Sequence, residues 1–518
     1  MDKEQFLKIK KQPELKFLAS LQKALPKARI FLVGGMVRDM MLGRETKDYD
    51  FMVEGAEKEQ LEGALKELGW VEEVESRAFG VFKFVPKGIK GIEPIDVSLP
   101  RREHYFGPGY KDVEVETGKV AVEDDLARRD FTINAMALRF TQGKPLRFTQ
   151  GKPLRFTQGK PLRFTQGKPL RFTQGEPSII DPFNGRADLK AKIIRAVGKP
   201  EDRFKEDPSR ILRAVRIAVE LDFTIQSETF QAGQKLAPEI VKTFQDKDGR
   251  SVERVAHEMV GREFWRAFGQ CPSVTIGLYD KIGLLKLLLP EVEAMKGVAQ
   301  PPQFHTEGDV YTHTLLGLKA LGNAPHTNVN KAIVALGLLL HDIGKPPTYK
   351  EAERIRFDGH DVKGAQMAGT VLRRFRMENE VIDEVKWLVK HHLITLSGRI
   401  DEIKDTTLER YFFRDDSWGQ DLMCLIWCDV SASKGPDGES NFDNYELLQS
   451  RLEKLQAIAK ERKKLPPPLL NGHDIMKILG IKPGPKVGEA IEALREAQLE
   501  GRIKTPEEAE KFVKEQNG

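Results

Sequence analysis

The sequence predicts an α+β multidomain protein, a mixed α/β N-terminal part followed by all-α parts. Three observations carry this. The chain has 518 residues, more than one hydrophobic core organises, so three or more domains are expected. Short apolar runs of β type alternate with helical stretches from Ile30 to about Leu138. Beyond residue 188 helical patterning dominates, including a strongly apolar run at 333–340. The expected parts are an N-terminal helix (1–27), a mixed α/β head (28–187), a helical neck and body (188–300), an all-α histidine-rich domain (301–440), and a linker with a helical C-terminal module (441–518).

Composition narrows the class. Hydrophobic content of 40% and charged content of 31% describe a soluble globular chain. No run of 18 apolar residues occurs, so no membrane partner is expected. The N-terminus lacks an apolar signal region. The three cysteines, 271, 424 and 428, form no CxxC pair and fit a reducing cytoplasm. Cys424 and Cys428 lie one helical turn apart among apolar residues, where core packing is expected. The formal charge of +5 invites a nucleic-acid reading. Residues 138–177, however, are five tandem copies of Leu-Arg-Phe-Thr-Gln-Gly-Lys-Pro, the last with Glu176 for Lys. The array carries five Arg and four Lys against one Glu, a net +8, which leaves −3 for the rest of the chain. Overall basicity therefore says nothing about substrate, and any RNA surface must be a local patch.

In chain order, residues 13–25 read as an amphipathic helix with Leu15, Leu18, Leu21 and Leu25 as its stripe. A β-type run at 30–33 leads into Gly34-Gly35-Met36-Val37-Arg38-Asp39, a glycine turn opening a short helix, with Gly43 placed as its C-cap. The glycines let backbone approach a phosphate, and a helix start favours an anion. Asp48-Tyr49-Asp50-Phe51 begins the next strand. Alternation puts Asp48 and Asp50 on one face, and paired carboxylates call for a divalent ion. The minimal reading is a site for a metal-bound nucleotide triphosphate. Residues 80–85 and 94–99 read as neighbouring strands. Asp96 is either a third metal carboxylate or an edge-strand acid. Residues 101–109 are turn-rich and read as a mobile loop near the site.

Glu123-Asp124-Asp125 then leads to Arg128-Arg129-Asp130-Phe131-Thr132-Ile133-Asn134-Ala135. An Arg-Arg-Asp triplet entering an apolar segment can be a structural ion pair; equally, a carboxylate there can accept from a ribose hydroxyl and a guanidinium can fork onto phosphate oxygens. After the octapeptides comes the β-type run Ile179-Ile180, followed by Asp181-Pro182. Copies 146–177 are expected as a solvent-exposed excursion because Gly and Pro interrupt any ladder. In Glu206-Asp207-Pro208-Ser209-Arg210, continued by Arg213 and Arg216, the charged groups recur every three residues along one helix face. Three arginines with no acid among them point to an anionic ligand. Residues 226–300, with Ser251-Val252-Glu253, read as helical.

These motifs, in this order, resemble the signatures of class II nucleotidyltransferases, the family of CCA-adding enzymes and bacterial poly(A) polymerases. The resemblance implies a nucleotidyltransferase-type head, in which the strand after Asn134-Ala135 returns by a hairpin to Ile179-Ile180 and copies 146–177 are an insertion in its turn. It also implies a tRNA nucleotidyltransferase that builds or repairs the 3′-terminal CCA from CTP and ATP without a template. It assigns Asp48 and Asp50 to two catalytic Mg²⁺, and Arg129 and Asp130 to ribose and phosphate. It assigns Asp207 and Arg210 to the base and Arg213 and Arg216 to the triphosphate; Gly35 and Arg38 belong to the first signature. A partial CC- or A-adding enzyme and a poly(A) polymerase remain open, as does the oligomeric state.

Seven of the ten histidines lie between 305 and 392. His341-Asp342-Ile343-Gly344-Lys345 resembles the HD phosphohydrolase superfamily, which implies a divalent metal, of unspecified identity, on His313, His341, Asp342 and Asp429. His360 and His391 could enlarge that site, and His326 reads as a bystander. The different-class alternative makes this centre the activity and the head an RNA-binding part. A purely structural RNA-binding protein would not need the carboxylate pair. His473-Asp474 lacks neighbouring histidines and reads as a helix-start pair.

Overall fold

The computed structural model describes residues 12–44, 49–72, 80–105, 107, 113–140, 178–245, 249–351, 353–395, 400–413, 417–461 and 468–517. Asp48 and the octapeptide copies 146–177 lie outside the described residues. The chain divides into two compact units, one of Met1–Gln270 with Gly277–Leu287, the other of Cys271–Ile276 with Leu288–Gly518.

The first unit is built on a seven-stranded mixed sheet. Its strands are β1 (Arg29–Val33), β2 (Asp50–Glu54), β3 (Gly69–Val71), β4 (Val81–Pro86), β5 (Ile95–Ser98), β8 (Ala137–Arg139) and β9 (Ile179–Ile180), in the order β3-β4-β5-β2-β1-β8-β9. Only β2 and β5 run parallel, with Asp50 opposite Asp96. The central strands read as continuous apolar runs because both faces are covered. Ile30, Leu32, Phe51 and Val53 pack on one side with Phe17, Leu18 and Leu21 of helix α1 (Phe17–Ala24). Phe31, Val33 and Met52 pack on the other with Val122 and Leu126. The N-terminal amphipathic segment thus packs as expected, although its first turn, Pro13–Leu15, is a separate 3₁₀ turn. Helix α2 (Gly35–Met41) follows β1, and Gly43 at φ +71° ends it.

Three expectations need correction. Residues 101–105 are not a loop: β6 (Arg101–Tyr105) pairs antiparallel with β7 (Val113–Thr117), and Arg102 spans the ladder to Glu116 at 3.3 Å. Asp96 is not on an edge, since β5 lies between β4 and β2, and its carboxylate is met by Lys83 Nζ at 2.8 Å. In the neck, after the short parallel pair β10 (Ile193–Ile194) and β11 (Thr224–Ile225), an antiparallel strand pair stands where helix is expected. Its strands are β12 (Thr243–Gln245) and β13 (Ser251–Glu253). The β-branched Thr243 and Val252 favour these strands.

Antiparallel pairing of Leu138 with Ile179 and Ala137 with Ile180 closes the expected hairpin at the roots of the octapeptide array. Helix α3 (Val122–Ala127) lies before the second signature. Helix α4 (Pro200–Glu206) hands over at Asp207 to helix α5 (Ser209–Leu221).

The second unit is helical. Its principal helices are α6 (Val310–Ala320), α7 (Lys331–Leu340), α8 (His360–Arg374), α9 (Asn379–His391) and α10 (Trp418–Ala432). Helix α7 is buried over residues 333–340, and Cys424 and Cys428 are buried in α10. The C-terminal module has its own small core around Ile475, Leu494 and Val513. His473-Asp474 is a capping pair there: Asn471 Oδ1 accepts from both amides, and Asp474 Oδ2 accepts from Asn471 N at 2.9 Å.

Candidate active site

Strand β1 delivers its chain into Gly34 at φ +71°. A Cβ there would stand 2.7 Å from Arg129 Nη1 and 3.3 Å from Asp50 Oδ2. The bare glycine is what lets this guanidinium and carboxylate meet above the turn. They border a cleft of about 500 Å³, also lined by Gly35, Asp130, Asp207, Arg210 and Arg213. Seven of the predicted residues of the first unit and Gly34 therefore converge from the β1–α2 turn, β2, the 128–135 segment, the α4–α5 junction and α5.

Four acids and four arginines line the cleft, and the setting that favours a cation is local to Asp50. Burial is the main influence raising the Asp50 carboxyl, to about 6. Arg129, with Nη2 3.8 Å away, pulls it down, while Asp125 and Asp96 push it up. A carboxyl destabilised by burial and by two neighbouring acids is the donor a divalent ion suits. Asp125 is fully buried and braces the second signature: it takes Arg128 Nη2 at 2.7 Å, Arg129 Nε at 3.3 Å and the backbone N–H of Arg101 at 3.2 Å. Arg128 and Glu103 also line the cleft and pair with each other at 2.8 Å. Sequence reasoning missed Asp125, Arg128 and Glu103. The acid-rich turn of α3, one helical turn ahead of the arginine pair, was the available signal for Asp125.

The remaining predicted groups are more committed to one another than their spacing implies. Asp130 Oδ1 accepts from the Phe131 backbone and Asn134 Nδ2, and Oδ2 accepts from Arg213 Nε and Nη2 at 2.8 and 2.5 Å. Burial would raise this carboxyl, but Arg213 outweighs it, and with Asn134 and Arg210 holds it at about 2. Arg210 bonds Glu206 at 2.9 Å and the Arg128 carbonyl at 3.2 Å. Asp207 Oδ1 accepts from Ser209 N and Oγ, leaving Oδ2 without a hydrogen bond among the described residues. Two residues are not brought to the cleft. Arg216 is buried and points to Glu263 at 2.6 Å and Glu220 at 2.7 Å. Arg38 clasps Asp39 and donates to Asn134 Oδ1 at 2.9 Å. The expectation that α5 carries arginines unopposed by acid fails because Glu220 of α5 and the acids Asp130, Glu206 and Glu263 of other elements meet them.

In the second unit, His313 on α6, His341 and Asp342 after α7, and Asp429 on α10 converge. His313 Nε2 is 2.8 Å from Asp429 Oδ1, and His341 Nε2 is 3.2 Å from Asp342 Oδ2 and 3.6 Å from Asp429 Oδ1. Burial would lower the His341 imidazole, but Asp342 and Asp429 outweigh it and hold it up at about 10. A divalent ion replaces protons in such an arrangement. Three residues not assigned from sequence belong here. Glu307 accepts from His313 Nδ1 at 2.8 Å and lies 2.7 Å from His305 Nδ1. Lys345 Nζ is 2.7 Å from Asp342 Oδ2. His392, not His391, faces the centre. His391 packs its ring against Trp387 and Tyr411 at 4.7 and 4.6 Å. The helical period was the overlooked signal: Val385, Leu388, Val389 and His392 share the buried stripe of α9. His326 lies apart, 3.1 Å from the Tyr445 hydroxyl. Groups of potential ligands here are His313, His341 and Asp342, and Asp342, His360 and His392.

Residues 30–153 match the poly A polymerase head domain and residues 310–422 the HD domain. Both domain types are metal-dependent. The chain is 30% identical to the A-adding tRNA nucleotidyltransferase of Deinococcus radiodurans over 492 residues, 93% of this chain and 94% of the relative. It is 29% identical to the CC-adding tRNA nucleotidyltransferase of Thermus thermophilus over 490 residues, 93% and 92% of the two chains. The crystal structure of the Bacillus stearothermophilus CCA-adding enzyme in complex with CTP shares the fold, with a TM-score of 0.57, 21% identity and 98% of each chain covered. A glycine turn beside an acid–arginine pair, head and HD domains in this order, and a 30% identical relative aligned along nearly the whole chain lead to one conclusion: this chain belongs to the tRNA nucleotidyltransferase family.

Proposed function

We propose that this enzyme adds or repairs the 3′-terminal CCA of tRNA from CTP and ATP without a nucleic-acid template. The observation that carries the reading is the convergence of Asp207 and Arg210 with Asp50 and Arg129 on one cleft. Asp207 Oδ2 is an acceptor for the amino group that cytosine and adenine share and that guanine and uracil lack at that edge. Arg210, fixed by Glu206 and the Arg128 carbonyl, donates beside it. Arg129 serves the phosphates, and Asp130 with Arg213 forms the wall against ribose and triphosphate. Asp48 and Asp50 would hold Mg²⁺, which when bound supplies Lewis-acid activation for in-line displacement by the RNA 3′-hydroxyl. In the same proposal 28–187 is the head, 188–300 the RNA-cradling neck and body, 301–440 the HD domain and 441–518 the C-terminal module, and the enzyme works in the cytoplasm. Among the described residues no helix is long and apolar enough to cross a membrane.

The test uses tRNAs ending before, within and after CCA, with CTP and ATP singly and together. The reading expects two C additions followed by one A. Addition of A alone to CC-ended tRNA, or of CC alone, would assign the partial activity instead, and A tracts would assign a poly(A) polymerase. The group of buried His313, His341 and Asp342 with the partly buried Asp429 supports a second, metal-dependent phosphohydrolase activity of the HD domain. Phosphate release should be lost in Asp342→Ala while nucleotide incorporation persists; release that survives the substitution would rule this activity out.

A further inference from the structure

We infer that Met259 is the platform on which the base of the incoming nucleotide lies, and that its compliance lets one cleft hold both a one-ring and a two-ring base. The inference rests on the nucleotide-binding reading of this cleft and adds the contact to the base face that the reading lacks.

The lining of the cleft poses the question. Charged side chains dominate it, joined by Asn134 and Ser209. These groups suit phosphate, ribose and the polar edge of a base. A base also has flat, poorly hydrated faces, and small-molecule sites cover such faces with apolar side chains. Gly34 and Gly35 offer none. Met259 is the only apolar side chain among the described residues that line the cleft.

Helix packing sets it there. Met259 lies in the first turn of the helix His257–Gln270. Two ion pairs hold that helix to α5: Arg266 Nη2 is 3.3 Å from Glu220 Oε1, and Glu263 Oε2 is 2.6 Å from Arg216 Nε. Met259, Glu263 and Arg266 stand at i, i+4 and i+7, on one face of their helix, while Glu220, Arg216 and Arg213 step back along α5 about one turn at a time. The rung after Arg266–Glu220 and Glu263–Arg216 therefore brings Met259 to the first turns of α5, where Ser209, Arg210 and Arg213 line the same cleft. Charge meets charge at the two inner rungs, and an apolar group stands at the rung on the cleft. Core packing does not account for it. The buried apolar stripe of its helix is Val260, Phe264, Ala267 and Phe268, and Met259 lies off that stripe and is half-buried. Its sulfur accepts from Arg262 Nη2 at 2.9 Å, which steadies the thioether.

Methionine suits the task. It is unbranched, has three rotatable bonds and a polarisable sulfur, and makes favourable contacts with planar rings. Cytosine and adenine bring the same amino group to Asp207 but one ring or two to the platform. A flexible side chain follows both outlines, whereas a β-branched one, stiff at χ1, fits one at the expense of the other.

The test measures equilibrium binding of labelled CTP and ATP, with Mg²⁺, to the full chain and to Met259→Ala, Met259→Leu and Met259→Val. Inorganic tripolyphosphate, which has no base, serves as the competitor. Loss of the platform in Met259→Ala should raise Kd about five- to tenfold, more for ATP than for CTP, the scale of one apolar side-chain contact. Met259→Leu, apolar and of similar volume, should recover most of that loss. Met259→Val should weaken ATP at least about threefold more than CTP. Tripolyphosphate should compete equally well in every variant. Unchanged Kd for both nucleotides in Met259→Ala would overturn the platform, and so would an equal loss of tripolyphosphate affinity, which would mean that the cleft itself has collapsed. Binding of only one of the two nucleotides by the unaltered protein would overturn the shared platform. Binding of both, weakened as expected in the variants but without incorporation into tRNA, would sink the transfer reading and leave the platform standing.

Discussion

Replacing Arg213 by alanine tests whether the cleft wall is an electrostatic unit. Asp130 is 8% exposed and receives both Arg213 nitrogens on one oxygen. Its carboxyl lies at about 2 against an ordinary 3.8. Each pK unit is worth ~1.4 kcal/mol, so the displacement corresponds to about 2.5 kcal/mol of stability at neutral pH. Breaking a fully buried ion pair costs about 3–5 kcal/mol. The Arg213 side chain is 36% exposed, which places the expected loss at the lower end, about 2–3 kcal/mol. The sign follows from the depressed pKa: the contribution is present above the unfolded value of 3.8 and lost as pH falls toward 2. In Arg213→Ala, burial acts without its counterweight and raises the carboxyl, so the penalty is full near pH 7.5 and relieved as acid protonates Asp130. Hydrogen–deuterium exchange of peptides spanning 122–136 and 209–221 reads this region alone. Relative to the unaltered protein at the same pH, exchange should quicken about 30- to 150-fold at pH 7.5 and markedly less at pH 5. Asp130→Asn/Arg213→Ala should recover more than half of the loss. Equal effects at both pH values, or no recovery in the double variant, would mean that packing rather than charge is lost.

Other outcomes follow from the same geometry. Gly34→Ala forces a Cβ to within 2.7 Å of Arg129 at a positive φ, so nucleotide incorporation should fall more than about tenfold with the fold retained by circular dichroism. Removing residues 146–177 should leave incorporation and the β8–β9 pairing intact, because closing the longer loop costs only about 1.5 kcal/mol by the logarithmic rule; a large loss of activity would give the octapeptides a role. The Asp50 carboxyl, raised to about 6, favours the fold below pH 3.8 and ceases to do so as pH rises through 6. Stabilisation by Mg²⁺, read as a shift in unfolding temperature, should therefore be large at pH 7.5 and small at pH 5.

What the sequence made legible, and what it did not, separates along physical lines. Local rules carried the strand–glycine–helix unit at 30–43 and the face shared by i and i+2 residues that aims Asp50. Each depends on neighbours in sequence. Pairing partners from distant segments were hidden. The arginine row of α5 looked unopposed although Glu206 and Glu220 stand one turn from Arg210 and Arg216; its other partners, Asp130 and Glu263, lie 83 and 47 residues away. For the same reason Arg216 was assigned to a ligand although it closes a buried ion pair. The strand at 101–105 was hidden by its turn-rich sequel, since pairing with 113–117 decides it. In the second unit the histidine count exposed the centre, but choosing His392 over His391 required the helical phase of α9, and Glu307 required the tertiary contact with His313.

The central claim is that the cleft joining Asp50, Arg129 and Arg210 performs nucleotidyl transfer. Its most direct test is incorporation of labelled CTP and ATP into tRNA lacking CCA, comparing the unaltered enzyme with Asp50→Asn at saturating Mg²⁺ and matched folding. Losing a metal-binding carboxylate forfeits several kcal/mol of transition-state stabilisation, so the rate should fall by at least about 10³-fold. Incorporation within a few-fold of the unaltered enzyme would contradict the account.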